Sequence, residues 1–371
     1  MHVLMALYSL RRGGAERIAI ELALHLKDKG HTVSFITLTD VNEYAELTER
    51  VLNITSLVSA RRLRWPMDVP QYILKFQHAR REISPDVIQV HDPSMAWIAA
   101  FGAGHVPCCH LIHGYPMILR HGGALKRAFA KLIDKATFRR MSRRVMAVSP
   151  SLQHAASSHL NCSVSDIECI VNGIDIERFA YVVRRPLTKP QILFVGTLAP
   201  YKRPDRLIAA FEELLKYLPD GELSIVGDGP LRDQLVANVE VKRLASKIKF
   251  LGQRRDVGIL MRNAHLLWLL SDVEGLPLVV AEAMASGLPV IGSRVPGITD
   301  IIKDGITGYL VELGDPATVA MRSFELLSDG VKYNEFSLAG RELVVRKFDV
   351  RQMVSGHENY FSNTISSHQS K

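Results

Sequence analysis

The chain has 371 residues, 47% of them hydrophobic and 23% charged; this composition excludes disordered, collagen-like and disulfide-scaffold proteins and leaves room for two domains of ordinary size. Its formal charge of +8 sits in one half, because residues 1–185 carry 24 Lys and Arg against 16 Asp and Glu, while residues 186–371 carry 22 against 22. That imbalance calls for an anionic partner of the first half alone: a membrane face, a phosphorylated acceptor or nucleic acid.

The opening stretch MHVLMALYSLRRGG places its arginines after the apolar residues and is too short for a secretory signal, so it reads as a strand entering a glycine turn. The next helix aligns Ala15, Ile18, Ala19, Leu22, Ala23 and Leu26 on one buried stripe. Gly30 ends it and HTVSFITL supplies a second strand, giving a β-α-β start with Gly13 and Gly14 at the crossover. Residues 59–67, SARRLRWPM, gather Arg61, Arg62, Arg64, Trp65 and Met67. Further strands are expected at 86–90, 108–113, 144–149 and 167–171. His113 closes the second of these, at the carboxyl edge where ligands of parallel sheets sit. A lone histidine is as readily an ordinary structural residue.

Residues 124–144 hold eight basic residues, among them Lys126, Arg127, Arg139, Arg140, Arg143 and Arg144, against one acid. Leu125, Phe129, Leu132, Ile133 and Ala136 form an apolar stripe along the same segment. A basic amphipathic helix beside a basic aromatic loop suits docking on an anionic membrane; the plain alternative is a solvated charged face over an ordinary core stripe. Cys108, Cys109, Cys162 and Cys169 show neither metal-ligand spacing nor a disulfide framework, so reduced thiols in a cytosolic protein are expected.

Residues 181–190, YVVRRPLTKP, hold two prolines and no periodicity, as a linker does. Beyond them the pattern restarts: QILFVGTL as a strand, a helix at 204–217, ELSIVGDG as a strand, a helix at 230–245, then IKFLG. A short helix near 256–263 leads to the strand HLLWLLS, and PVIGS and GYLV follow as strands with a short helix between them. Apolar strands alternating with helices give parallel sheets covered on both faces. The expected fold is therefore α/β: two tandem Rossmann-like doubly wound domains facing across a cleft, at 1–180 and 191–349, with a C-terminal helix at 350–366. No run approaches the roughly 20 apolar residues of a membrane span.

The stretch SDVEGLPLVVAEAMASGLPVIG, 271–292, sets Glu274 and Glu282 in an apolar run, where carboxylates are costly unless paired. HLLWLLS ends at Ser271, so DVEGLP is the loop at a strand's carboxyl edge. Pro277 suits a first helical position, and the first turn of the helix offers free N–H groups and a positive dipole end to a phosphate. Glu274 before that turn and Glu282 beyond it flank a diphosphate, and each accepts hydrogen bonds from sugar hydroxyls. A nucleotide sugar has that pattern of donors. The alternative makes Glu274 a helix cap and Glu282 a surface residue.

The run EGLPLVVAEAMASGLPVIGSRVPGITDIIKDGITGYLV resembles the nucleotide-sugar site of family-4 retaining glycosyltransferases of the GT-B fold. GGAER (13–17), VNGIDIERF (171–179), GTLAPYKRPDRLIAAF (196–211) and GDGPLRDQL (227–235) follow in the family's order. The likeness spans nearly the whole chain, is strong from 171 to 315 and loose from about 40 to 165, where the acceptor pocket would lie. It implies that Glu274 holds donor-sugar hydroxyls near the reacting carbon, Glu282 the ribose, and the N–H groups of Leu278 and Val279 the diphosphate. Gly275 and Leu276 complete that loop. Lys202 matches the lysine that neutralises the leaving diphosphate, and His113 the histidine facing the reacting carbon. Gly13 and Gly14 let the first loop approach the phosphate. Thr197 departs from the pattern, since an arginine usually follows the strand glycine there; Arg203 is the nearest substitute. The C-terminal helix would cross back onto the first domain and make the two a hinged pair.

The activity so implied is hexosyl or N-acetylhexosaminyl transfer from a nucleotide-diphosphate sugar, UDP favoured and GDP an alternative, to a saccharide or lipid-linked hydroxyl, with retention. Bacterial surface polysaccharide, lipopolysaccharide or related glycan synthesis is the setting expected. No D-x-D pair follows a strand convincingly, so no obligate metal and no cofactor are expected. The basic half points to a cytoplasmic protein peripheral on the inner membrane face. Nucleic acid is not expected, for want of an aromatic-interleaved basic module. Neither glycine turn makes a G-x-G-x-x-G with an acid about 20 residues on, which disfavours a dinucleotide oxidoreductase. A GT-B-fold nucleotide-sugar epimerase and a non-catalytic nucleotide-sugar binder are the remaining alternatives.

Overall fold

Strands that are apolar on both faces have to be covered on both faces, and the computed structural model builds the chain into two such parallel sheets. It describes residues 1–48, 53–62, 67–114, 123–142, 144–183 and 189–369, the side chains of Arg62, Leu125 and Lys126 excepted. Two compact units result: Met1–Asn172 with Arg351–Lys371, and Gly173–Val350.

The first unit holds β1 (His2–Leu7), β2 (Thr32–Thr39), β3 (Asn53–Val58), β4 (Val87–Val90), β5 (Cys108–Ile112), β6 (Val145–Ala147) and β7 (Ile167–Cys169) in the order β3-β2-β1-β4-β5-β6-β7. Val3 to Ala6 of β1 are wholly buried, as a central strand requires. The half-exposed edge strand β3 has no apolar run to announce it. The described helices that matter below are α1 (Gly14–Asp28), α2 (Val69–Ile83), α3 (Pro93–Gly102), α4 (Ala124–Arg140) and α5 (Pro150–Leu160). Asp92 and Ser149 cap α3 and α5 by accepting from Met95 N and Leu152 N, each followed by a proline in the first turn. The expected stripe of α1 is buried at Ile18, Ala19, Leu22, Ala23 and Leu26.

The second unit holds β8 (Gln191–Val195), β9 (Glu222–Val226), β10 (Ile248–Gly252), β11 (Leu266–Leu269), β12 (Val290–Ser293) and β13 (Gly308–Val311) in the order β10-β9-β8-β11-β12-β13. Its described helices include α6 (Pro204–Leu215), α7 (Arg232–Val241), α8 (Val257–Asn263), α9 (Leu278–Ala285), α10 (Pro316–Ser328) and α11 (Gly330–Lys347). The short helix expected between β12 and β13 is instead a series of turns. Pro296 and Gly297 interrupt it, and Gly297 takes a left-handed φ of 86°.

The division between units falls at 172/173, ahead of the segment 181–190. The residues after it are already bound into the second unit: Ile174 N donates to Phe348 O at 2.7 Å, Arg341 donates to Phe179 O at 3.0 Å, and Tyr181 packs against Gly287. Residues 184–188 lie outside the described residues. The last helix, α12 (Val350–Gln369), belongs to the first unit from Arg351 on. It buries Met353, Val354, His357, Phe361 and Thr364, one stripe at helical spacing, while Glu358 accepts from Lys29 and lies 2.9 Å from His31 Nε2.

Candidate active site

Strand order reverses between β8 and β11, the switch point where open α/β sheets bind their ligands. Two loops meet there, 196–203 after β8 and 271–277 after β11, joined by Asp272 N donating to Tyr201 O at 2.8 Å. Glu274 is 7% exposed. Its Oε1 and Oε2 accept from Lys202 Nζ at 2.6 and 2.7 Å, and Oε1 also accepts from Ser271 Oγ at 2.7 Å. The buried acid is therefore paired and hydrogen-bonded, the condition for keeping its charge.

Pro277 stands one position earlier than expected. It is the N-cap, with φ −76° and ψ 95°, and α9 starts at Leu278. The reason is that its extended backbone aims its carbonyl at Val280 N, 2.9 Å away. No side chain caps this helix, so Leu278 and Val279 head a first turn of the kind that binds anions. Glu282, one face further along α9, is 4% exposed; it is not the surface residue of the alternative reading. Leu276 is buried and Gly275 half-buried. Gly297 lies against this loop, and a Cβ there would stand 2.6 Å from Glu274 O, so the close approach admits only glycine.

Thr197 is exposed. Arg203, with a left-handed φ of 49°, gives Nε and Nη2 to Asp205 at 3.0 and 2.7 Å and lies 3.5 Å from Asp272. Its guanidinium is paired with two carboxylates, Asp205 and Asp272. Lys202 and the amino end of α9 are the positive elements that these loops bring together.

In the first unit the reversal lies between β1 and β4. A Cβ on Gly13 would stand 2.3 Å from Glu16 Oε2, whereas Gly14 has nothing within 4 Å; the first glycine makes room for a carboxylate and the second leaves open space. Burial, reinforced by Glu43, pushes Glu16 up from the ordinary carboxylate value. Asp92, after β4, is pushed up to about 7 by burial, although its Oδ1 accepts from Met95 N at 3.0 Å.

His113 follows β5. Its Nε2 lies 2.9 Å from Nδ1 of His91, a hydrogen bond between two imidazoles, and the rings are stacked with centroids 5.1 Å apart. Burial lowers His91 well below the usual imidazole value, with His113, His357 and His110 adding to it. Burial likewise lowers His113 to about 3, His110 to about 4 and His357, from the C-terminal helix, to about 3. All four rings are neutral at physiological pH, so His113 serves as a hydrogen-bonding group and His91 sets which of its nitrogens carries the proton. His91 and Asp92 escaped the sequence reading although DVIQVHDP places them at the same carboxyl edge as His113. His357 carries no local signal at all.

In α4 the inward face is Ala130, Thr137 and Phe138, continued by Met141, while Phe129 and Leu132 of the apolar stripe are 65% and 66% exposed and Ala136 is exposed, which goes against the alternative of an ordinary core stripe. Arg140 instead donates to Ala100 O at 2.7 Å and lies over the Phe101 ring. Arg61 is exposed and Arg144 partly so; Arg64, Trp65, Arg143 and the side chain of Lys126 lie outside the described residues. Among the described residues no group of three or more His, Cys, Asp or Glu is placed to hold a metal ion, and no helix is long and apolar enough to cross a membrane.

Two family models match the chain in tandem: "Glycosyltransferase Family 4" over residues 12–178 and "Glycosyl transferases group 1" over residues 175–343. The chain is similar to N-acetyl-alpha-D-glucosaminyl L-malate synthase of Bacillus anthracis, 27% identical over 95% of this chain and 94% of that protein. It is 26% identical to UDP-Gal:alpha-D-GlcNAc-diphosphoundecaprenol alpha-1,3-galactosyltransferase of Escherichia coli, with the same coverage of 95% and 94%. Among solved structures, Alr3699/HepE of Anabaena in complex with UDP superposes with a TM-score of 0.81 at 19% identity, over 98% of this chain and 100% of that one. Such a likeness shows the GT-B architecture: two Rossmann-like α/β halves.

Proposed function

This chain belongs to glycosyltransferase family 4, and we propose that it moves a hexosyl or N-acetylhexosaminyl group from a UDP-sugar to a hydroxyl of a lipid-linked or saccharide acceptor, with retention. The observation that carries the reading is the Lys202–Glu274 pair at the switch point of the second unit, beside the uncapped amino end of α9.

A nucleotide diphosphate placed at that helix end draws Lys202 from Glu274 to itself. The freed carboxylate then accepts from the hexose hydroxyls, and Glu282 from the ribose. When the bond between C1 and the diphosphate oxygen breaks, the electron pair stays on that oxygen, where Lys202 and the N–H groups of Leu278 and Val279 stabilise it. The acceptor oxygen bonds to C1 from the same face and its proton passes to the departing phosphate. His113, neutral and held by His91, serves as a hydrogen-bonding partner near the reacting carbon. UDP is favoured, and a lipid-linked acceptor preferred, because the similar Escherichia coli galactosyltransferase takes UDP-Gal and a diphosphoundecaprenol-linked acceptor. The exposed apolar and basic face of α4 supports a protein that works on an anionic membrane surface.

A melting-temperature screen with UDP-, GDP- and ADP-sugars tests the donor, since a ligand at a hundred times its Kd adds about 2.7 kcal/mol of stability. UDP-sugars are expected to raise the melting temperature, and the product formed with a matching acceptor to keep the donor's anomeric configuration, in EDTA as well as without it. An inverted product, or activity abolished by EDTA and restored by Mn²⁺, defeats this mechanism.

A further inference from the structure

The first unit contains a cavity of about 520 Å³, within the range of pockets that enclose a drug-sized ligand. Its walls are Trp97 from α3, Phe138 and Met141 from α4 and the turn beyond it, and Leu152, Ala156 and Leu160 from α5. The polar groups on this wall are few: Thr137 Oγ1 and His91 Nε2 are buried without a partner among the described residues. Asp134 accepts from Trp97 Nε1 at 3.1 Å and lies 2.9 Å from His159 Nε2, and its negative charge makes the wall inhospitable to a phosphate. At one end the lining is His91, His113 and Gly114, so the cavity reaches the histidine pair. The helix that roofs it, α4, turns Phe129 and Leu132 outward at 65% and 66% exposure, among basic residues. The inner face of one helix thus lines an apolar chamber, while its outer face has the chemistry of a membrane-surface helix.

We propose that this cavity binds the hydrocarbon chain of an amphiphilic acceptor, with the polar head of that acceptor at His113. An unbranched or prenyl chain suits walls built from Trp97, Phe138, Met141, Leu152, Ala156 and Leu160, and the few unpartnered polar atoms, Thr137 Oγ1 and His91 Nε2, suit its polar head rather than a whole free sugar. The assignment names the acceptor class for the transfer proposed above and rests on that reading for the role of His113, but chain binding itself is independent of the donor site in the second unit.

Titration calorimetry with alkyl β-D-glucosides from hexyl to decyl, below their micelle concentrations, tests it on the intact chain. Each added methylene is expected to tighten binding about threefold to fourfold, levelling off once the cavity is filled. Ala156→Phe, which fills the chamber, is expected to weaken octyl glucoside binding more than tenfold. Should that variant fail to fold, Ala155→Leu on the same helix, partly exposed and at the wall, is expected to show a smaller loss with a normal melting transition. Affinity that does not depend on chain length, or that survives both substitutions, overturns the proposal. The UDP-induced melting shift, read on the same samples, reports the donor site separately: its absence with chain binding intact removes the donor reading and leaves this site standing.

Discussion

Lys202 and Glu274 lie seventy-two positions apart and neutralise each other in a poorly hydrated place. Their fates on substitution differ. Removing Lys202 leaves the buried carboxylate with Ser271 alone among the partners described above, and breaking such a pair costs about 3–5 kcal/mol. Glu274→Gln keeps the shape and leaves a lysine able to reach water. Lys202→Ala is therefore expected to lower kcat/KM by roughly 10²–10³, the usual effect of losing one stabiliser of developing charge, and to lower the melting temperature as well. Glu274→Gln should cost activity with a smaller thermal penalty. Comparable melting losses in both variants, measured by calorimetry, would refute the asymmetry.

Helix α4 shows why periodicity is an incomplete guide at the scale of an element. Leu125, Phe129, Leu132, Ile133 and Ala136 repeat at helical spacing, yet the packed face runs through Ala130, Thr137 and Phe138, because small and aromatic residues there close over the cavity. Phe129, Leu132 and Ala136 are left outward among basic residues, the arrangement of an interfacial helix. Replacing Arg127, Lys131, Lys135 and Arg139 by Gln removes four charges worth about 1 kcal/mol each near an anionic surface, roughly a thousandfold in affinity. Sedimentation with phosphatidylglycerol vesicles checks this: binding is expected to fall steeply and to weaken in salt even for the unaltered chain. Undiminished sedimentation removes the membrane role from this helix while leaving the transfer chemistry untouched.

At the scale of the whole molecule, the first unit carries an acid-labile centre. His91, His110, His113 and His357 are neutral when folded, because burial lowers each below the ordinary imidazole value, whereas their unfolded counterparts take up protons as pH falls through about 6.5. Stability is therefore lost as pH falls below that value. Asp92 works against this trend. Its carboxyl stays protonated when folded up to about pH 7, against an ordinary value of 3.8, so its contribution is full below pH 3.8 and is lost as pH rises through 7. Melting curves from pH 4 to 8 should fall steeply below pH 6, and more steeply in Asp92→Asn, which removes the opposing proton. A profile flat from pH 4 to 7 is incompatible with the buried cluster.

Local patterns determined much of this protein. Apolar strands alternating with helices dictated two parallel doubly wound sheets, and EGLPLVVAEA marked a helix start after a strand's carboxyl edge, because strand burial and helix starts depend on neighbours in the chain. Tertiary structure alone decided what depended on distant partners. The pairing of Lys202 with Glu274 arises where β8 and β11 lie side by side. Asp92 acquires its proton affinity from the packing that the fold places around it, which no dipeptide signals. The burial of His357 in the first unit required the chain to return from its far end, and the cavity under α4 exists because three helices separated in sequence leave a gap among them. Long-range packing sets these charges and spaces, and their positions in the chain do not encode it locally.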